Sequence, residues 1–327
     1  MRLTAAVLSY DGKHLLETML PSLAAQTHDD LRVVVVDNGS TDGTAAWLAE
    51  AWPDVEVVRL EQNVGVTAGL NACLRAAAGS DLVALLNNDT ELEPDCLARL
   101  AAALRDDPSL GSASGKLVDF HDRTVLDGAG DGFTWRGIPY RRGHGEPDDG
   151  RYDEEGPVFG ACGGAAVYRT AAVEDVGGFD ERFFAYYEDA DWNLRAQLAG
   201  WGCRYVPSAV VFHMGSATLG RTMNDFTRYH LWRNCVWMVA KGFPAAALAR
   251  HAPALLLGQA LHLLDAIKDR RLSVWARALR DALRGLPAVL ADRPAVQARR
   301  RARLRDLDRV VDPTRLRLVD GRPRLTS

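Results

Sequence analysis

The chain has 327 residues, with 39 basic against 43 acidic side chains and a formal net charge of −4. That balance supplies no global positive field, so nucleic acid is not expected as a partner. The length fits one large α/β core with an appendage. Cys73, Cys96, Cys162, Cys203 and Cys235 are scattered and contain no C-x-x-C pair. This argues against a disulfide framework or structural zinc and fits a reducing cytosol. The first apolar run, Ala5 to Leu8, is interrupted by Asp11 and Lys13, too short for a signal peptide or a membrane span. A cytoplasmic chain starting on a core strand is expected.

Leu3 to Leu8 and Leu31 to Val36 are short apolar, β-branched runs flanking a helix-like stretch, His14 to Gln26, which makes a βαβ unit. Val55 to Leu60 and Leu82 to Leu86 predict further strands, with helices over Thr44 to Ala51 and Thr67 to Ala78. Continuous rather than alternating apolar strands suit a mostly parallel sheet covered on both faces, a doubly wound Rossmann-like half. After a helix over about Pro94 to Leu104, residues 111–156 show little periodicity and read as strands plus a long mobile loop. Val158 to Tyr168 reads as one strand broken by glycines, followed by helices over Thr170 to Val176 and Asp191 to Ala199 and a strand from Tyr205 to Phe212. Beyond Leu219 everything reads as helix divided by Pro244, Pro253, Pro287 and Pro294. A catalytic domain over 1–218 and a helical extension over 219–327 are expected.

In open α/β sheets ligands bind beyond the carboxyl ends of the strands. Those positions hold Ser9-Tyr10-Asp11, Asp37 to Asp42, Asn87-Asn88-Asp89 and His213. Asp37 suits a base N–H and Tyr10 a stacking face, although Asp37 to Asp42 equally reads as a turn capping the next helix. The first βα turn lacks G-x-G-x-x-G, which disfavours a dinucleotide cofactor. Asn63-Val64-Gly65 offers backbone to a phosphate or sugar. Asp89 at the end of an apolar strand calls for a cation, Mg²⁺ or Mn²⁺, with Asn88 adding a neutral oxygen and His213 an imidazole nitrogen. His213 also reads as a structural hydrogen-bonder. Glu188, Asp189 and Asp191 lie among Phe184, Tyr186, Tyr187 and Trp192. Crowded carboxylates beside apolar walls suit a general base, while acidic residues in a first helical turn read equally as a solvated helix start.

The ordered set Val33 to Thr44, Asn63-Val64-Gly65, Leu86 to Thr90, Gly177-Gly178-Phe179-Asp180, Glu188-Asp189 and His213 resembles family 2 inverting glycosyltransferases of the glycosyltransferase A fold, in particular bacterial rhamnosyltransferase-like members, over residues 1–215. The resemblance implies a nucleotide-sugar donor (deoxythymidine-diphosphate rhamnose or a UDP-sugar) held by Ser9, Tyr10, Asp37, Asn63, Gly65, Asn88, Asp89 and Arg233. It implies a divalent metal at Asp89 and His213, and Asp189 as base with Glu188 beside it. Acceptor contacts would come from Gly163, Gly164, Asp191 and Trp192, the acceptor being a hydroxyl of a glycan or a lipid-linked sugar in cell-wall or polysaccharide synthesis. Where many members carry Asp-x-Asp, this chain has Asn87-Asn88-Asp89, one carboxylate fewer.

Ala254 to Ile267 is apolar but interrupted by Gln259, His262 and Asp265, below the roughly 20 residues a span needs. With Trp232, Trp237, Trp275 and the arginines of 299–305, it is compatible with peripheral membrane contact, and equally with a helical lid or a homodimer interface. Two rival activities stand beside transfer. Sugar-phosphate nucleotidyltransfer would use a Gly-rich loop with lysine, of which Ser9 to Lys13 is a poor version, and a non-catalytic binding module would have no use for Asp37, Asp89 and Asp189.

Overall fold

The computed structural model describes residues 1–215 and 223–312 in full, and the backbone of strands Leu316–Val319 and Arg322–Leu325. The boundary expected at 218/219 lies outside the described residues.

The N-terminal half alternates as the apolar runs dictate: β1 (Leu3–Ser9), α1 (Lys13–Ala24), β2 (Leu31–Asp37), α2 (Thr44–Ala51), β3 (Glu56–Arg59), α3 (Val66–Ala76) and β4 (Leu82–Asn87). A short β5 (Thr90–Leu92) and α4 (Cys96–Asp106) follow. β1 is parallel to β2 and to β4, with Ser9 opposite Asp37 and Leu8 opposite Asn87. Three polar strand ends are thereby aligned on one edge. Leu3, Ala5 and Val7 pack into one apolar layer and Ala6, Val34 and Leu85 into the other, which is why these strands are apolar without alternation.

The chain continues through β6 (Leu110–Asp119), β7 (Leu126–Gly128), β8 (Asp131–Thr134), β9 (Pro139–Arg141), β10 (Gly156–Val158), β11 (Ala165–Arg169), α5 (Thr170–Val176), α6 (Glu188–Ala199) and β12 (Gly202–His213). The main sheet runs β10-β12-β6-β11-β4-β1-β2-β3. β11 is antiparallel to both β4 and β6, and β12 is parallel to β6. At its far end β12 meets β5, with His213 opposite Thr90. That pairing carries a late residue back to Asp89.

The 111–156 region holds more regular structure than expected. β6 is long and almost wholly buried, but Ser112, Ser114 and Gly115 erased its apolar signature, and Gly115 is required because a Cβ there would stand 2.3 Å from the Ala209 carbonyl oxygen. The single broken strand expected over Val158 to Tyr168 is two, β10 and β11, pairing with different neighbours.

The C-terminal part comprises α7 (Asp225–Gly242), α8 (Ala245–Lys268), α9 (Leu272–Ala298) and α10 (Leu304–Leu307). It is not purely helical: β13 (Val311–Asp312) returns to pair with β8, and the last two strands form a hairpin. Nor do all the prolines divide it. Pro253, Pro287 and Pro294 lie inside α8 and α9 on exposed positions, where a carbonyl left without its N–H partner can turn to water. Trp237, Met238 and Val289 join Phe133, Phe159 and Phe183 in one apolar cluster. Trp232 and Trp237 are buried, which removes these two tryptophans from any membrane-anchoring role.

Candidate functional site

The donor side forms where β1, β2 and β4 end. Asp37 is fully buried, and its Oδ1 accepts the Ser40 amide at 2.9 Å. The turn therefore forms, but neither Ser40 nor Thr41 caps the next helix, since α2 opens behind Gly43 without a side-chain cap. Its Oδ2 is buried without a hydrogen-bond partner, with Arg59 Nε no nearer than 3.9 Å. An unsatisfied buried carboxylate oxygen is costly, and a base N–H would satisfy it. Ser9 Oγ accepts from Asn88 Nδ2 at 3.0 Å, tying β1 to β4. Tyr10 is half-buried beside them. Asp11 at φ 45° accepts the Thr41 amide at 2.7 Å, cross-linking the two loops. Asn63 Oδ1 accepts from Asn38 Nδ2 and from the Gly65 amide, folding that turn against the edge.

The metal side rests on a relay. His213 Nε2 lies 3.2 Å from Asp89 Oδ1, and its Nδ1 lies 2.6 Å from Asp127 Oδ2. Asp127 also accepts from Arg141 at 2.7 Å and faces His144 at 3.2 Å. Burial disfavours an imidazolium there, but the hydrogen bonds to Asp127 and Asp89 and their charges win, raising the His213 pKa to about 9. Burial likewise opposes the Asp127 charge, and His144, His213 and Arg141 still hold its carboxyl far below the usual range. Once the Nε2 proton is displaced, as metal binding requires, this donor set fits a divalent cation. A carboxylate and an imidazole nitrogen face each other, and a second carboxylate holds the other ring nitrogen, as metal-bound histidines are commonly held. Among the described residues no group of three or more such ligands gathers, so further oxygens would come from diphosphate and water.

The base side lies at the start of α6. Asp189 Oδ2 accepts the Gly163 amide at 3.1 Å and its Oδ1 the Ala190 amide at 2.7 Å. Burial raises its pKa despite those bonds and the nearby Arg141 charge. Glu188 is buried with Oε2 lacking a hydrogen-bond partner, and burial together with the Asp189 charge lifts its pKa to about 8. This is a desolvated carboxyl pair rather than a solvated helix start. Gly163 has to be small because a Cβ would stand 2.9 Å from Asp189 Oδ2. At Gly164 a Cβ would stand 3.3 Å from Leu117 and 3.9 Å from the His213 ring, so the Gly163–Gly164 step passes between base and metal side.

Some expected residues lie elsewhere. Trp192 is wholly buried, stacked edge-on against Tyr168 with its indole N–H on the Gly177 carbonyl. Asp191 is equally buried, paired with Arg195 at 2.8 Å and Lys241 at 3.0 Å. Both side chains are wholly enclosed in the core and leave no surface for an acceptor. Arg233 lies on α7 and donates to the carbonyls of Arg182 and Phe183, with its guanidinium over Trp237, so it supports the chain that leads into α6. Of the basic run, Arg301 is engaged with Asp175.

Sequence reasoning missed Asp127, Asp131 and Arg141. Asp131 is held well above the usual carboxyl range by burial and by the Asp189 charge. The positive charge of Arg141 acts on Asp127, Asp131 and Asp189 alike, and their charges raise its pKa in turn. The alternation of acid and glycine in Asp127-Gly128-Ala129-Gly130-Asp131-Gly132 was the available signal.

Comparison with known proteins sets this geometry in context. Residues 4–177 match the family model described as Glycosyl transferase family 2. An N-acetylglucosaminyl-diphospho-decaprenol L-rhamnosyltransferase of Mycobacterium tuberculosis is 30% identical over 97% of each chain. Among solved structures, S. aureus TarS superposes with a TM-score of 0.60 at 20% identity, covering 94% of this chain and 54% of that one. A mannosyltransferase of Pyrobaculum calidifontis, determined with GDP-Man and Mn²⁺, gives 0.54 at 20% identity over 91% and 87%.

Proposed function

The chain belongs to glycosyl transferase family 2, and from that premise we propose that it moves L-rhamnose, with inversion, from a deoxythymidine diphosphate donor to a hydroxyl of a polyprenyl-diphosphate-linked N-acetylglucosamine. It is a glycosyltransferase of the glycosyltransferase A fold. The observation that carries the finer reading is the end-to-end likeness to the mycobacterial rhamnosyltransferase, over 97% of both chains. Membership of the family displaces both rival activities, nucleotidyltransfer and a non-catalytic module.

In this reading the orphaned Oδ2 of Asp37 accepts the thymine N–H, and Tyr10 lies along the base. Asp89 and His213 hold a divalent cation, Mn²⁺ or Mg²⁺, which when bound offsets the charge on the diphosphate. Asp189 accepts the acceptor hydroxyl proton as the acceptor oxygen bonds to the anomeric carbon and the bond from that carbon to the diphosphate oxygen breaks. The nucleoside diphosphate leaves with its electron pair and needs no acid. Burial equips Asp189 for this by raising its proton affinity, and the Gly163 and Ala190 amides hold its two oxygens in place.

One feature supports contact with a lipid surface. No helix among the described residues is long and apolar enough to cross a membrane. Yet Leu256, Leu264 and Ile267 on α8 and Leu272, Leu283 and Leu290 on α9 are exposed, near Arg270, Arg271, Arg280 and Arg284. Apolar stripes with basic neighbours suit the surface of an anionic bilayer. Pelleting with anionic vesicles at low salt and release at high salt is the expected behaviour, and a salt-insensitive dimer without vesicle binding would favour a self-interface instead.

The deciding experiment incubates the protein and Mn²⁺ with a panel of nucleotide sugars, with and without polyprenyl-diphospho-N-acetylglucosamine. Nucleoside diphosphate release that requires both dTDP-rhamnose and the lipid acceptor is expected. Release with another donor sugar alone would overturn the rhamnose assignment.

A further inference from the structure

The segment that leads into the base is held in a conformation its residues do not favour. Phe184 (φ 64°), Tyr186 (φ 66°) and Tyr187 (φ 65°) all occupy the left-handed region, which bulky side chains avoid. The Ala185 amide donates to the Phe183 carbonyl at 2.8 Å across Phe184 at ψ −53°, the geometry of a γ-turn of the rare, strained hand. Strain of this kind persists only where neighbours over-determine it.

Those neighbours come mainly from α7. Asn234 is fully buried, and its Nδ2 lies within hydrogen-bonding distance of the carbonyls of Phe183 (3.1 Å), Ala185 (3.0 Å) and Tyr186 (2.7 Å). Its Oδ1 accepts from Arg233 Nε at 2.9 Å, which fixes the amide the right way round. Arg233 Nη2 also donates to the Phe183 carbonyl at 2.9 Å, and Thr227 Oγ1 meets the Tyr186 hydroxyl at 3.0 Å. On the opposite side the Phe184 carbonyl accepts the Thr67 amide at 3.1 Å, and its ring lies where a Cβ on Gly65 would be, at 2.7 Å. One strained segment thus touches the donor turn, α7 and the residue before Glu188.

We propose that Asn234 is a positioning residue for catalysis: by gathering the three carbonyls it holds the 184–187 segment so that Asp189 faces the Gly163 strand and the cleft. This rests on the reading of Asp189 as the base. Glu188 and Asp189 open α6 immediately after Tyr187, so any relaxation of the left-handed Tyr187 swings the first turn, and with it the carboxylate. No sequence signal other than the Arg233-Asn234 pair announces this clamp.

The test compares Asn234→Asp, which keeps the shape but removes both amide donors, with Asp189→Asn and with Val289→Ala, which thins the buried packing of α9 in the cluster shared with Phe183 but removes no hydrogen bond to the segment. Three quantities are read on the full chain with Mn²⁺: dTDP affinity by calorimetry, kcat and KM for transfer, and amide exchange of residues 184–188. For N234D the expected result is dTDP affinity within about twofold of wild type, kcat lower by about 10- to 100-fold, and faster exchange in the segment. V289A is expected to lower the melting temperature while leaving kcat unchanged. If N234D does not fold, Arg233→Met removes the second strut and should lower kcat in the same direction by less. A kcat for N234D within twofold of wild type overturns the clamp, as does a loss matched by an equal loss of dTDP affinity. If D189N turns over normally, the base assignment fails and the clamp as stated fails with it. If D189N is silent and N234D normal, only the clamp fails.

Discussion

His213 lies between two carboxylates, with Nδ1 2.6 Å from Asp127 and Nε2 3.2 Å from Asp89. The two contacts are unequal in kind. Asp89 and His213 are brought together by the β5–β12 pairing, whereas Asp127 comes from β7, which pairs with β6. Asp127 therefore orients the ring from behind, while Asp89 faces the ring nitrogen that would meet a cation in the proposed reading. Asp127→Asn should raise the Mn²⁺ concentration needed for half-maximal activity by about 10- to 100-fold, the usual effect of losing a group behind a metal-bound histidine. A manganese titration of thermal stability, repeated as a titration of activity, measures it. An unchanged metal requirement would remove Asp127 from the site.

Gly163→Ala isolates the placement of the base from its identity. The new methyl would stand 2.9 Å from Asp189 Oδ2, and the carboxylate, being the end of a side chain, would rotate away and lose the 3.1 Å bond to the Gly163 amide. Turnover should fall by roughly 10- to 100-fold, with dTDP binding retained and the melting temperature little changed. Steady-state kinetics beside a melting curve decides it; a large loss of stability with normal turnover in the surviving fraction would point to packing alone.

The N-terminal half of this architecture was legible because each strand is buried on both faces, so its apolar run is continuous and its polar end abrupt. Asp37, Asn88 and Asp89 stood out for that reason, as did His213 at the end of β12. The middle of the chain was not legible. β6 is buried yet built from Ser, Gly and Ala because β12 crosses it closely at Ala209, and small residues leave no apolar trace. Asp127, Asp131 and Arg141 gain their meaning only from strand pairing across that region. On α6 the sequence placed Asp189, Asp191 and Trp192 together, and the structure parts them by burial: Asp189 keeps partial exposure, whereas Asp191 and Trp192 are enclosed in the core.

The core-facing part of that divergence has its own consequence. Asp191 is fully buried between Arg195 and Lys241, and Lys241 Nζ also reaches Asp180 at 2.6 Å. Lys241 thereby joins α7 to both α6 and the Gly177–Asp180 turn. Lys241→Met would leave buried carboxylate charge short of a cation, at a cost of about 3 kcal/mol or more. Urea unfolding gives the stability loss. Since Asp191 and Lys241 are both buried in the core, kcat per folded molecule should stay near wild type, and a selective loss of kcat would return Asp191 to the active site.

Glu188 gives a pH signature whose sign differs from that of an ordinary surface carboxylate. Unfolded, it releases its proton near 4.5; folded, burial and the neighbouring Asp189 delay release to about 8. Between those values the folded state holds the extra proton, so raising the pH through this window lowers stability. Glu188→Gln removes the titrating group and keeps the shape. The stability difference between E188Q and wild type should therefore be small near pH 4 and grow in favour of the variant up to about pH 8, then level off. Taking the difference cancels His213, whose raised pKa of about 9 gives a contribution that is present below its unfolded value and lost as pH climbs through its folded one. Denaturation of both proteins at matched pH values reads the curve. A flat difference would mean that Glu188 ionises freely in the folded protein, and the apolar surroundings that raise the proton affinity of its neighbour Asp189 would then have to be far wetter than this geometry allows.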